Sequence, residues 1–397
     1  MAVLPVVPFV VFSHGTVPSI LDPLMSQIVE IRQTDDPRDA IHRACHRLAE
    51  GDLVGFPTES VYVIVANPLS PRGVERLQAI QPTGRRTLLL KSCFEFHDYV
   101  SNVPVFADKL SRRAWPGPLA IAVDRSLADG LFSDFSEVAQ KALTAADNTV
   151  SFRVSSQEHL LDVLKLSPAP LIACSEQIDG QAMPRTAADV AAIYGSQVAM
   201  ILDDGPCRYG EPSTFVKTDS TGWGIVESGV VSDCTLKRLC SEIYLFVCTG
   251  NTCRSPMAEA LFRRLLSEHL KCPDEELMDR GFNILSAGMS AGSGSPASRE
   301  AISVLADEGI DLRNHESQPL TERLLLHADH VLTMTRGHRQ SILNSYPDFA
   351  SRVSLLSSDH TDISDPYGGG VQEYAACKTS IEQNLKSLIS QLDPSDS

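Results

Sequence analysis

No Cys-x-x-Cys pair occurs anywhere in this sequence, although it holds ten cysteines. Their scatter argues against a disulfide framework or a zinc site and suits a reducing cytoplasm with one reactive thiol. An excess of positive charge is also missing. The formal net charge is −16, shared equally between residues 1–242 and 243–397. Neither part is therefore a basic nucleic-acid module by bulk charge, which leaves only a local basic groove open. The apolar stretch 2–12 is too short to span a bilayer and has no basic residue ahead of it, so it reads as a leading strand rather than a secretory signal. A cytoplasmic protein with no membrane partner is expected. Tandem repeats are absent, and the histidines, His327 and His330 included, have no metal-ligand spacing, so no metal site is expected.

What remains is an ordinary globular composition, 43% hydrophobic and 21% charged, in 397 residues. One hydrophobic core stops growing at ~250–300 residues, so two domains are expected. Residues 36–50 carry apolar side chains at helical spacing (Ala40, Ile41, Ala44, Leu48), and Gly51 ends that helix. Strand-like runs follow at 53–56, 87–90, 119–123, 150–154, 171–174, 200–202, 214–216 and 224–227, with helical stretches between several of them. This predicts a twisted-sheet α/β domain over 1–242, closed by a short helical connector at 235–241. A second alternation then starts: strands at 243–247, 282–286, 330–334 and 353–356, and helices at 256–270, 298–308 and 371–392. That order implies a doubly wound parallel sheet over 243–397.

Between the first strand and first helix of the second domain lies Cys248-Thr249-Gly250-Asn251-Thr252-Cys253-Arg254-Ser255. A Cys-x5-Arg loop at the carboxyl end of a parallel strand folds its N–H groups into an anion cradle, backed by the positive end of the helix. Gly250 and Asn251 are residue types that tolerate left-handed backbone. Arg254 can hold two phosphate oxygens in its fork while Cys248 sits behind the phosphorus as a thiolate nucleophile. Ser255 can donate a hydrogen bond to that thiolate, and Pro256 is harmless in the first helical turn. Such a nucleophile needs an acid for the leaving atom. Asp365, in Ser364-Asp365-Pro366-Tyr367, is the candidate, with Tyr367 as an aromatic wall at the mouth. Read alone, that segment is simply a turn.

Together with Ser286-Ala287-Gly288, these elements resemble the low-molecular-weight protein tyrosine phosphatase family. The resemblance implies a phosphocysteine on Cys248, a phosphoryl-holding Arg254 and an acid–base role for Asp365, with no metal or organic cofactor and a phosphorylated protein as substrate. The stretch 248–260 is similar to the bacterial protein arginine phosphatase subgroup, which has threonine where tyrosine phosphatases usually carry a bulky aliphatic residue. Thr252 therefore favours phosphoarginine over phosphotyrosine, while a purely packing role stays open. Arsenate reductases share the loop but relay a disulfide through two downstream cysteines, and none occurs between Gly281 and Asp365. Cys253 either forms a reversible disulfide with Cys248 or is a buried structural thiol.

Residues 36–232 resemble the YrdC-like threonylcarbamoyl-AMP synthase family, through Gly55-Phe56-Pro57-Thr58-Glu59-Ser60-Val61-Tyr62, Trp115-Pro116-Gly117-Pro118-Leu119, Phe152-Arg153-Val154, 201–207 and Pro212-Ser213-Thr214. The resemblance implies ATP, L-threonine and bicarbonate as ligands if the domain is active, with Thr58, Tyr62, Arg153, Ser175, Ser213 and Thr214 at ligand positions. Three departures point to a degenerate domain that keeps a nucleotide- or RNA-shaped cleft. Gln81 and Thr83 replace the family's Lys-x-Arg pair. Ser175-Glu176-Gln177 stands for Ser-x-Asn, and Val63 replaces a glycine. Arg85 and Arg86 are the candidate substitutes for the lost cations. An active L-threonylcarbamoyladenylate synthase is the alternative. The oligomeric state is not legible.

Overall fold

The computed structural model describes residues 26–33, 36–174 and 183–392. The apolar stretch 2–12, the expected ligand residue Ser175 with its neighbours 176–177, and the polar tail 393–397 lie outside the described residues. Fourteen strands of the described chain form two sheets.

The larger sheet comprises β1 (Gln27–Glu30), β2 (Val54–Phe56), β3 (Val63–Ala66), β4 (Thr87–Leu89), β5 (Leu119–Asp124), β6 (Thr149–Arg153), β7 (Leu171–Cys174), β8 (Met200–Asp203), β9 (Thr214–Thr218) and β10 (Trp223–Glu227). Their order is β1-β8-β2-β3-β7-β4-β6-β5-β9-β10, with parallel and antiparallel pairs mixed. Alternate residues of the same strands feed two cores. Ile64, Leu88, Ile172 and Ile201 enter one; Val63, Leu89, Ala173 and Leu202 enter the other. Burial on both faces is why these strands read as unbroken apolar runs.

The smaller sheet holds β11 (Glu242–Cys248), β12 (Phe282–Gly288), β13 (His330–Thr333) and β14 (Val353–Leu355), all parallel, in the order β12-β11-β13-β14. Tyr244 and Phe246 face the helices Arg254–Leu270 and Val371–Ile389, while Leu245 and Val247 join Leu325 and Ile342 of the helices Glu322–His327 and Arg336–Ser345. This is a doubly wound sheet. Successive connections depart to opposite sides of β11, so a crevice opens at its carboxyl end, the residue Cys248.

The opposite, amino-terminal end of that sheet is joined to the first unit by ion pairs. The helix Val105–Ala114 carries buried Lys109, Arg112 and Arg113. Arg112 donates to the carbonyl of Leu326 (2.5 Å) and to Asp329 (3.1 Å). Arg113 donates to the carbonyls of His327 (2.9 Å), Leu239 (2.6 Å) and Ser241 (2.7 Å), and pairs with Asp329. Lys109 pairs with Glu242, and Asp329 also accepts the Ile243 N–H at 2.9 Å.

Candidate functional site

The 248–255 loop runs from β11 into the helix Arg254–Leu270, as the spacing predicts. Left-handed backbone is needed at one position, Asn251 (φ 55°), and not at Gly250. The asparagine is held there by its own side chain. Its Nδ2 donates to Ser255 Oγ and Ser286 Oγ, both at 2.9 Å, and its Oδ1 accepts the Gln318 N–H at 2.8 Å. His315 Nε2 lies 2.8 Å from the Asn251 carbonyl. Gly288 lets the loop lean on β12: a Cβ there would sit 2.7 Å from the Thr249 carbonyl and 2.8 Å from the Asn251 nitrogen, closer than real Cβ contacts come.

Cys248 is buried, and its Sγ accepts the Asn251 N–H at 3.2 Å and lies 3.0 Å from Ser255 Oγ. Because Asn251 donates to Ser255 Oγ, the serine hydrogen is left for the sulfur at 3.0 Å or the Ala287 carbonyl at 3.4 Å. The sulfur thus has the loop backbone and the Ser255 hydroxyl as hydrogen-bonding neighbours. Arg254, also buried, donates to Asp365 at 2.6 Å, to the Ile363 carbonyl at 3.3 Å and to Thr249 Oγ1 at 3.4 Å. Asp365 is half exposed, and Tyr367, at 82% exposure, stands at the rim. Cys248, Thr249, Gly250, Thr252, Cys253, Arg254, Asp365 and Tyr367 enclose a cavity of about 260 Å³. Sequence reasoning missed His338, Gln318 and His315, which lie far along the chain, and it gave no role to Thr249, inside the motif, or to Ser286, quoted only for the family resemblance.

Cys253 is buried with its Sγ 3.1 Å from the Tyr374 hydroxyl. Burial, followed by that contact, pushes the Tyr374 phenol up to about 12, so it stays protonated. Burial also pushes the Cys377 thiol, on the same helix, up to about 12.

A second cleft, about 310 Å³, opens in the first unit and is lined by Arg32, Thr58, Glu59, Gln157, Asp204 and Cys207 among others. Of the expected ligand residues Thr58 reaches it, its hydroxyl donating to the Val61 carbonyl at 2.6 Å. Arg153 is buried behind it, donating to Glu59 (2.8 Å), Ser60 (3.0 Å) and the Gly117 carbonyl (3.2 Å). Burial would raise the Glu59 carboxyl, but the Arg153 charge and the hydrogen bonds from Ser155 and Arg153 bring it below its ordinary value. Ser213 lies 3.2 Å from Ser60, and Thr214 is fully buried, its hydroxyl donating to the Val231 carbonyl. Tyr62 is fully buried too, with its hydroxyl on the Gly205 carbonyl (2.9 Å) and Asp203 (3.2 Å). Gln81 is buried and both its amide atoms lack a hydrogen-bond partner among the described residues. Arg85 is tied to Asp147 and Glu227, and Arg86 to the carbonyls of Ala142 and Gln81. Neither arginine lines the cleft.

A loop headed by a buried cysteine at the switch point of a parallel sheet, with an arginine at its end and a carboxylate facing it, is the frame of a phosphatase unit. The chain belongs, through residues 243–396, to the low molecular weight phosphotyrosine protein phosphatase family, and residues 46–229 match the Sua5/yciO/yrdC family described as "Telomere recombination". It is 39% identical over 152 residues to the protein-arginine-phosphatase of Bacillus subtilis, covering 37% of this chain and 95% of that one. It is 34% identical over 146 residues to a probable low molecular weight protein-tyrosine-phosphatase, EpsP, of Ralstonia nicotianae, covering 36% of this chain and 92% of that one. The first unit is 31% identical over 202 residues to the threonylcarbamoyl-AMP synthase of Pyrococcus abyssi, covering 50% of this chain and 56% of that one. The chain thus spans little more than half of the synthase relative. No helix among the described residues is long and apolar enough to cross a membrane.

Proposed function

We propose that the second unit hydrolyses phosphoarginine in proteins through a phosphocysteine on Cys248. Thr252 carries this reading: it puts a hydroxyl, not a branched aliphatic group, on the wall of the cavity that a leaving group must cross. A hydroxyl can hydrogen-bond a guanidinium, whereas an aromatic ring is better matched by methyl groups. In the first step the Cys248 sulfur attacks phosphorus, the S–P bond forms and the P–N bond breaks. Asp365 gives its proton to the departing nitrogen, releasing arginine. In the second, Asp365 takes a proton from water as its oxygen attacks phosphorus, and phosphate leaves the restored thiolate. Arg254, with the loop N–H groups, holds the phosphoryl oxygens in both steps. Its pairing with Asp365 at 2.6 Å is the contact a bound phosphoryl group replaces, which frees the carboxyl for acid–base work.

The first unit is read as a degenerate domain that keeps a cleft shaped for ATP or RNA without synthase activity. Gln81 and Thr83 cannot supply the charge a Lys-x-Arg pair brings to phosphates and carboxylates. Arg85 and Arg86 are committed to partners of their own. Calorimetry of the full chain with ATP and with L-threonine plus bicarbonate tests this. Formation of threonylcarbamoyl-AMP would overturn it.

The test of the phosphatase reading compares phosphoarginine and phosphotyrosine peptides on wild type and Thr252→Ile. Arginine preference in wild type, lost in the variant, is the expected result. Equal or faster phosphotyrosine turnover by wild type would leave a tyrosine phosphatase, the reading that the EpsP relative favours.

A further inference from the structure

His338 also touches the phosphate loop from outside it, and it does so through a residue with no assigned role. It sits in the first turn of the helix Arg336–Ser345, where Thr335 Oγ1 accepts its N–H at 3.2 Å. That cap fixes the backbone, and the ring reaches across so that Nε2 lies 2.9 Å from Thr249 Oγ1. The other ring nitrogen, Nδ1, is buried without a hydrogen-bond partner among the described residues.

This asymmetry selects the tautomer. A buried N–H with no acceptor costs more than a bare lone pair, because orphaned donors are the rarer defect in folded proteins. The hydrogen therefore belongs on Nε2, which donates to Thr249. Burial, then the nearby Arg254 charge, hold the imidazole below its ordinary value against the opposing pull of Asp365 and Asp362, so the ring is neutral at neutral pH. Arg336, on the same helix, is occupied by Asp362.

Thr249 Oγ1 then receives two donors, His338 Nε2 at 2.9 Å and Arg254 at 3.4 Å. With both lone pairs so engaged, its own hydrogen is left for an acceptor in the cavity that Thr249 lines. We propose that Thr249 is a phosphoryl-binding residue that donates its side-chain hydroxyl to a substrate oxygen, and that His338 is the positioning residue that turns the hydroxyl inward. This rests on the phosphatase reading and adds to it a second side-chain donor beside Arg254.

The probe is inorganic phosphate, titrated by calorimetry into the full-length chain and, in parallel, used as a competitive inhibitor of peptide hydrolysis. A hydrogen bond to a charged group is worth about 1.5–3 kcal/mol, so Thr249→Val is expected to weaken phosphate at least about tenfold, with Thr249→Ser close to wild type. His338→Ala should weaken it by about three- to tenfold. His338→Gln, whose amide nitrogen reaches nearly the place of Nε2, should recover most of that loss. The double variant Thr249→Val/His338→Ala should be no weaker than Thr249→Val alone, because the histidine acts through the threonine. Wild-type phosphate affinity in His338→Ala, or losses that simply add in the double variant, would overturn the proposal while leaving the phosphatase intact. A wild-type chain that neither binds phosphate nor turns over a phosphopeptide would overturn the phosphatase reading, and this proposal with it.

Discussion

Replacing Asp329 by alanine would remove the anion on which two buried arginines converge. Arg112 and Arg113 are 7% and 9% exposed, and Asp329 accepts from both and from the Ile243 N–H. Stripping one partner from a buried ion pair costs about 3–5 kcal/mol, because the remaining charge stays out of water. An orphaned backbone N–H adds to this. Arg113 keeps three carbonyls and Arg112 keeps Asp108 and the Leu326 carbonyl, which places the loss toward the lower end of that range. At an m-value of about 3 kcal/mol/M, a loss of about 3 kcal/mol moves the urea midpoint down by about 1 M. The assay is urea unfolding of the full chain followed by tryptophan fluorescence and by phosphatase activity. The exposed pair Lys237–Asp233 is the control, and Asp233→Ala should cost less than about 1 kcal/mol. Adding Arg112→Met and Arg113→Met to Asp329→Ala should recover part of the loss, since no stranded charge remains. A midpoint change for Asp329→Ala no larger than the control's would refute the idea that this cluster joins the two units.

Three further outcomes follow from the same structure. Arg254→Lys should lower kcat/KM on any phosphopeptide by about a hundredfold or more, because a point charge cannot replace the fork; activity within tenfold of wild type would contradict the role given to Arg254. Asp365→Asn should lower turnover by about 10²–10⁴-fold, the usual worth of a placed general acid, and the loss should be larger for poorer leaving groups. The junction should also loosen in acid. Burial would raise the Glu242 carboxyl, but hydrogen bonds from His330 and Lys109 bring it to about 2. Asp108, held by His97 and Arg112 against the same effect of burial, is also at about 2. For carboxylates depressed in the folded state, the stabilisation is complete above the unfolded values near 4 and is lost as pH falls toward 2. Unfolding free energy measured from pH 6 to pH 2.5 should therefore fall within that window, and less steeply in Glu242→Gln.

Much of the fold is legible because its strands are short apolar runs bounded by turn residues. The parallel alternation after residue 242 could be read directly, down to β14 (Val353–Leu355). β1 and β3 were not. β1 (Gln27–Glu30) is an edge strand exposed along most of its length, and its two apolar residues, Ile28 and Val29, are too short a run to stand out. β3 (Val63–Ala66) continues without a break from the buried segment Ser60–Tyr62, which hides its start. In the site, Cys248, Arg254 and Asp365 could be named because one loop spacing and one turn place them. The Arg254–Asp365 contact could not, since it depends on how the segment after β14 folds back. The same holds for His338: 89 residues separate it from Thr249, and only the packing of the helix Arg336–Ser345 brings the two together. In the first unit, Tyr62 and Thr214, expected at ligand positions, have their hydroxyls on internal carbonyls, a placement that their sequence neighbours do not show.

The most direct test of the account is to trap the covalent intermediate. The full chain is mixed with a phosphoarginine peptide, quenched within milliseconds and mapped by mass spectrometry, using wild type, Asp365→Asn and Cys248→Ser. Phosphate on Cys248 in wild type, with release of unmodified arginine peptide and no label on Cys253, is the predicted result. Turnover that persists in Cys248→Ser, or phosphate found on any other residue, would contradict it.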